Sequence, residues 1–425
     1  MRHKISIGFT LALSMLAMAT LITTTYASAQ SEKILHNFNS AGNGGDIPSA
    51  GLVFDSVGNL YSTTQSGGLH GLGTIFELSP PTTGTNWTEK ALHMMGSFNT
   101  DARTTVTGVT LDSAGNVYGV AASGGADGSG AVFELMPIAG GGWIENNLHN
   151  FIQNGTDGTQ PVGGLIFDAA GNLYGTTYTG GPSVGGNLGY GTVYELTPTG
   201  SGQWTETILH QFANGTDGAY PSGNLIMDAS GNPYGTTSRG GGSTLCTFGC
   251  GTVFKLTPSG GTWTETVLYV FTGGSDGGLP QAGLVIDPSG NFYGTTLWGG
   301  IHCSVCGTVF EVSPGSGGTW TETVPHSFGG FASDGTNPAA SLVFDSAGNL
   351  YGTTVGGGYY GHGTAFELSP AAGGRWHESI LHQFENGFDG QIPDSNLIFD
   401  SSGNLYGTTV GGGLFGDGTV FEIIP

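Results

Sequence analysis

Basic side chains are scarce: 425 residues carry eight Lys and Arg against 31 Asp and Glu. Such a surface repels phosphate backbones and anionic lipid headgroups, so nucleic acid and acidic membranes are poor partners, while cations, neutral glycans and basic proteins stay open. Long apolar runs are missing beyond Ile22, which leaves the body of the chain without a membrane-spanning helix. Motifs of reaction chemistry are missing too: no Gly-x-Ser-x-Gly elbow, no His-Glu-x-x-His and no phosphate-binding glycine loop. Nor does a sustained amphipathic helical period compete for any segment. What abounds is glycine, at 82 residues. Without a period that number would suggest low complexity, but these glycines recur in register beside Leu, Val, Phe and Tyr.

The chain opens with basic Met1-Arg2-His3-Lys4, continues through an apolar stretch from Ile5 to Ile22, and reaches the small-residue triplet Ala27-Ser28-Ala29. That order reads as a secretory signal peptide over residues 1–29, leaving 30–425 as one exported domain. No cysteine follows the expected cleavage point, so lipid attachment there is not expected. Loss of Arg2 and Lys4 leaves six basic side chains against 31 acidic ones.

A motif Asp-x-x-Gly-Asn-x-Tyr starts at Asp55, Asp112, Asp168, Asp228, Asp287, Asp345 and Asp400, at intervals of 55 to 60 residues. Each copy is followed by Gly-Thr-Thr or a relative, a glycine-rich loop, a Gly-Thr-Val-Phe-Glu-Leu segment, a Trp-Thr-Glu-Thr-Ile-Leu-His-x-Phe segment, and a loop containing Asp. In the third copy, Leu165-Ile166-Phe167 runs into the turn Asp168 to Asn172, and strands follow at Leu173 to Thr177, Gly191 to Leu196 and Trp204 to Phe212. All are short, rich in β-branched and aromatic residues, and bounded by Gly or Pro. The period suits four strands plus a crossover, the unit of a propeller.

The ends of the chain decide between an open stack and a ring. The last copy stops after Gly418 to Ile423 with no Trp-Thr-Glu segment, and the missing strand sits at the other terminus as Ser31 to Phe38. The expected fold is therefore all-β: a seven-bladed β-propeller with four antiparallel strands per blade, its last blade closed by the N-terminal strand.

These repeats, with the Gly-Thr-Val-Phe-type segments at Gly191, Gly251, Gly307 and Gly418, resemble the GloVer tandem-repeat proteins of bacteria over nearly all of residues 31–425. The Asp-x-x-Gly-Asn-x-Tyr turn is also similar to turns in NHL-type and gluconolactonase-like propellers. The resemblance implies an extracellular protein of a family with varied C-terminal surface anchors and no established common activity. This chain shows no anchor before Pro425, from which a secreted, released monomer is expected.

Residues present in every copy serve the blade, whereas a single ligand site needs residues that break the pattern. Among the acids, the turn Asp, the interblade Asp (46, 101, 157, 217, 276, 334, 389), six Glu of the third strand and seven of the fourth all repeat, leaving Asp127, Glu385, Asp394 and Asp417 outside. The fourth-strand His series (36, 93, 149, 210, 326, 382, with Tyr269 substituting once) reads as hydrogen-bonding structure, as buried polar groups must be paired. His70, His302 and His362 lie outside it, in loops between second and third strands. Those loops share one face with the interblade loops, because the chain reverses at every strand, and propeller mouths are where pockets occur. The candidates for ligand contact are thus Trp298, His302 and the interblade Asp157, Asp217, Asp276, Asp334 and Asp389. The same Asp series can instead close its own turns, or supply carboxylates to calcium.

The repeated tryptophans at 87, 143, 204, 263, 320 and 376 read as packing residues, with sugar stacking as their alternative. Cys246, Cys250, Cys303 and Cys306 fall in corresponding loops of the fourth and fifth copies. Export favours local disulfides 246–250 and 303–306, while a cross-blade pairing and a four-thiolate zinc site are the alternatives. The leading expectation of function is a binding or scaffold module for a carbohydrate or another extracellular macromolecule. Its competitor is a metal-assisted hydrolase or lactonase in which His70, His302, His362 and Asp417 converge at the mouth.

Overall fold

A computed structural model describes residues 31–41, 44–98, 101–182, 188–200, 202–385 and 387–424. The expected leader, residues 1–29, lies outside them. Seven antiparallel sheets of four main strands follow one another along the chain, joined by short two-stranded pairings between loops. Among the described residues the only helical element is a 3-10 turn at Ser316–Gly318, and no helix is long and apolar enough to cross a membrane.

Blade 3 shows how the repeat folds. Its strands are Ile166–Phe167, Leu173–Gly180, Thr192–Pro198 and Trp204–Gln211. The second outruns its expected end at Thr177 because it also pairs with the interblade segment Gly158–Pro161. The turn between the first two strands is built by Asp168: Oδ1 accepts the amides of Ala170 and Asn172 at 2.8 and 2.9 Å, and Oδ2 accepts the Asn172 side chain at 2.8 Å and the Tyr174 hydroxyl at 3.3 Å. That is why Asp, Asn and Tyr recur at fixed offsets. Glycine in the middle of the second strand makes room for the aromatic ring of the third: a Cβ at Gly294 would lie 2.6 Å from Cζ of Phe310.

Between third and fourth strands the register slips once. In blade 3 Val193 faces His210 while Tyr194 faces Ile208, so Leu209 is an extra residue. This β-bulge buries Leu209 and re-aims the neighbouring histidine, the local effect such insertions have.

The core lies between blades. One layer, for example, joins Tyr118, Val120 and Val132 of blade 2 to Leu165, Leu173, Tyr194 and Leu196 of blade 3, with Trp204 packed against it. The layer across the chain ends joins Leu35, Phe38, Tyr406 and Val420 to Leu52, Leu60, Phe76 and Leu78. There Ser31–Asn37 pairs with Thr419–Ile424, Ser31 opposite Ile424 and Asn37 opposite Thr419, and Lys33 Nζ lies 3.2 Å from Glu422 Oε2. The ring is closed by the strand pair that the sequence demanded. The repeated tryptophans pack against these layers as expected.

Candidate functional site

Three kinds of site are built on this frame: an axial cavity, the junctions between blades, and the loop face. The axis is lined by the segments that enter each first strand. The cavity measures about 120 Å³, and it is pinched where a Cβ at Gly108 would come within 2.6 Å of the Gly51 carbonyl oxygen. Cross-blade bonds knit the wall, from the Gly164 amide to Asn224 Oδ1 at 2.7 Å and from the Gly283 amide to Ser341 Oγ at 2.9 Å. One ring position is occupied in turn by Ser49, Val106, Val162, Ser222, Gln281, Ala339 and Asp394, all at the cavity wall. Asp394 is its one acid, and burial pushes its carboxyl up to about 6.

At five of the seven junctions, among the described residues, the bulged histidine of one blade meets the interblade Asp that follows it and the fourth-strand Glu of the next blade, while His36 lies 3.5 Å from Glu89. His93 Nε2 lies 3.1 Å from Asp101 Oδ2 and 2.7 Å from Glu145 Oε2. His149, with Asp157 and Glu206, is looser at 3.4 and 3.5 Å. His326, with Asp334 and Glu378, is similar at 3.4 and 3.6 Å. His210 and His382 lie 3.1 Å from Asp217 and Asp389, where Glu265 and Glu32 complete the groups. Tyr269 replaces the imidazole once, donating to Asp276 Oδ2 at 3.1 Å.

The interblade Asp also closes its own loop. The Ile152 amide reaches Asp157 at 2.9 Å, and those of Thr272, Gly330 and Glu385 reach Asp276, Asp334 and Asp389 at 2.7, 2.8 and 2.9 Å. Asp46 instead accepts from Ser66 Oγ at 3.0 Å. Burial works against a charged His93, yet Asp101 and Glu145 raise it to about 9. Burial, reinforced by Asp217, pushes Glu265 up to about 8. His36, whose dominant influence is burial, is driven down to about 4.

The loop face gathers the pattern-breaking aromatics. Tyr178 and Tyr220 stack at 5.0 Å with planes 29° apart, and Tyr190 meets Tyr220 edge-on at 5.7 Å. Arg239 pairs in the sheet with Ala219, the residue before Tyr220, and its guanidinium lies 5.8 Å from the Trp298 ring centroid. Tyr178, Tyr220, Arg239 and Trp298 therefore lie in a row across blades 3, 4 and 5. Equivalent positions elsewhere hold Gln65, Ala122, Ser238, Leu297, Val355 and Val410 for Tyr178, and Ile47, Thr104, Gln160, Leu279, Asn337 and Ile392 for Tyr220. The backbone is left-handed at all seven of the latter positions, with φ between 56° and 60°. Side chains other than Gly are strained there by roughly 1–3 kcal/mol, but the sevenfold recurrence marks a feature of the ring rather than of one site.

Of the residues singled out from sequence, Trp298 joins this row and is 37% exposed. His302 and Asp276 line one groove of about 480 Å³ on blade 5, with Glu322 and His326. His70 is exposed on blade 1. The His362 carbonyl accepts the Ile392 amide at 2.9 Å. Asp417 is bonded to Ser40. No group of three or more converging His, Cys, Asp or Glu donors among the described residues includes His70, His302, His362 or Asp417. The cysteines form Cys246–Cys250 and Cys303–Cys306, with none free, so the cross-blade pairing and the thiolate zinc site do not occur. Sequence reasoning missed the roles of Tyr178 and Tyr220. Comparing each blade's residues just after the Thr-Thr pair and just before the interblade Pro would have singled them out.

Comparison with known proteins agrees with the architecture. No curated protein matches the chain in sequence. Its fold is similar to a crystal structure of a protein from Lactobacillus plantarum at a TM-score of 0.52 and 15% identity, over 86% of this chain and 99% of that one. The profile of the Gloeobacter/Verrucomicrobia repeat matches residues 8–248 and 243–425. With both matches together spanning nearly its whole length, the chain belongs to the Gloeobacter/Verrucomicrobia repeat family.

Proposed function

We propose that this propeller is an exported binding module whose loop face holds a neutral carbohydrate against the aromatic stripe of blades 3 to 5. The observation that carries the reading is the Tyr178–Tyr220 stack at 5.0 Å, continued by Arg239 beside Trp298 at 5.8 Å. Aromatic rings already fixed by their neighbours offer apolar area to sugar C–H faces at little further entropic cost, and their polar edges offer hydrogen bonds. The same face carries exposed apolar side chains on several blades, including Leu69, Phe248, Ile301, Tyr359 and Phe415. A concentration of this kind favours a large ligand over a small metabolite. The basic and apolar opening of the sequence and the two disulfides support export.

The test is a pull-down and calorimetric titration of the full propeller with neutral polysaccharides at physiological salt. Wild type is expected to bind at least one of them, and Trp298→Ala and Tyr220→Ala each to weaken it by roughly tenfold, the value of about 1.4 kcal/mol of lost stacking. Absence of binding to every polysaccharide, or binding untouched by both substitutions, overturns the proposal.

A further inference from the structure

At all seven junctions the fourth-strand Glu buries a carboxylate oxygen without a hydrogen-bond partner, and at two of them more atoms are left in that state. Between blades 2 and 3, the His149 Nε2, Asp157 Oδ1 and Glu206 Oε1 atoms are all buried without a hydrogen-bond partner. Between blades 5 and 6, neither carboxylate oxygen of Glu378 accepts a hydrogen bond, although its side chain is only 5% exposed and Asp334 beside it is fully enclosed. Buried groups left in this state cost free energy, and a native fold rarely leaves several in one place.

What would satisfy them shows in the spacing, measured at the first junction to the other oxygen of each carboxylate and at the second to the unpartnered Glu378 Oε1 itself. His149 Nε2 stands 3.4 Å from Asp157 Oδ2 and 3.5 Å from Glu206 Oε2, and His326 Nε2 stands 3.4 Å from Asp334 Oδ1 and 3.6 Å from Glu378 Oε1. These separations are long for charge-assisted hydrogen bonds. They match the edge of about 3.4 Å of a tetrahedron whose metal–ligand bonds are about 2.1 Å. Where the imidazole instead closes on its carboxylate, as His93 does on Glu145 at 2.7 Å, a cation has no room between them. Where Tyr269 takes its place, the nitrogen donor is gone.

We propose that the His149–Asp157–Glu206 and His326–Asp334–Glu378 junctions are sites for a divalent cation of the zinc class, each clasping two adjacent blades. One imidazole nitrogen and two carboxylate oxygens are a zinc-type donor set, with the fourth position open to water. Calcium fits less well, because it asks for six to eight oxygens, and Asp157 Oδ2 and Asp334 Oδ2 already accept the backbone amides of Ile152 and Gly330, which leaves one oxygen of each Asp, Oδ1, for a cation. The disulfide-bonded cysteines offer no competing thiolate. The strong excess of acidic side chains draws divalent cations towards the surface.

The test uses the whole propeller, stripped with chelator and then titrated with Co²⁺ and Zn²⁺. Wild type is expected to bind two equivalents of Co²⁺ with visible d–d absorption, and Zn²⁺ to raise its Tm by a few degrees through preferential binding to the folded state. Glu206→Gln and Glu378→Gln, which keep side-chain shape, should each lose one equivalent, and together they should abolish both absorption and Tm shift. A wild type that takes up neither cation, or variants that keep both equivalents, overturns the assignment. The wild-type titration alone decides the matter should a variant fail to fold.

Discussion

Asp417 Oδ2 accepts hydrogen bonds from the Ser40 amide at 2.7 Å and the Ser40 hydroxyl at 2.8 Å, joining residues 377 positions apart. This contact lies beside the strand pair that closes the ring, so it is a latch. Asp417→Ala should lower unfolding free energy by about 1 kcal/mol, the usual net value of such bonds at a partly exposed position. A double-mutant cycle with Ser40→Ala checks it: additive effects would mean that the two residues do not interact in solution.

Glu265 makes stability depend on pH. Its carboxyl is raised to about 8, with burial first and Asp217 second among the causes, and His210 is the third member of the group. The folded state thus holds a proton that the unfolded chain releases near the ordinary Glu value. Its contribution is complete below the unfolded pKa and is lost as pH rises through the folded one. Tm should fall between pH 5 and pH 9, and Glu265→Gln should flatten part of that slope; an unchanged slope in the variant would refute the role.

Asp394 provides an independent test on the axis. With its carboxyl raised to about 6 by burial, it too favours the fold while protonated and opposes it once ionised. Asp394→Ala, the residue that Ala339 presents at the same ring position, should raise Tm at pH 8 and leave it nearly unchanged or lower at pH 4.5. Thermal scans at the two pH values distinguish this from a uniform packing effect.

Reduction should loosen the two cysteine loops without opening the ring. Cys246–Cys250 and Cys303–Cys306 span sequence separations of four and three, short enough that chain entropy limits each to about 2 kcal/mol. A reduced protein should keep its sheet spectrum and show a lower Tm. Loss of the folded transition altogether would show that these bridges hold more than their own loops.

The architecture could be read almost whole from the chain because each device recurs seven times. Asp168, Asn172 and Tyr174 bond to one another, so their spacing is visible without any knowledge of the fold. The strand closing the last blade was legible as a missing piece, Ser31 to Phe38. The junction groups were not, since His149, Asp157 and Glu206 belong to two blades and meet only through a bulge at Leu148 that alternation does not announce. Tyr178 and Tyr220 escaped notice for a related reason: each looks ordinary within its own repeat, and only the docking of blades 3 and 4 stacks them.

Because every apolar layer is shared by two neighbours, as where Leu165 and Tyr194 meet Tyr118 and Val132, a blade on its own owns no interior. A fragment lacking one sheet would bare two oily walls at once and could not retreat to a smaller stable ring without re-angling every joint. Loss of structure should therefore spread around the circle as a single event, and lengthening or shortening such a molecule requires whole blades to be gained or lost together with their seams.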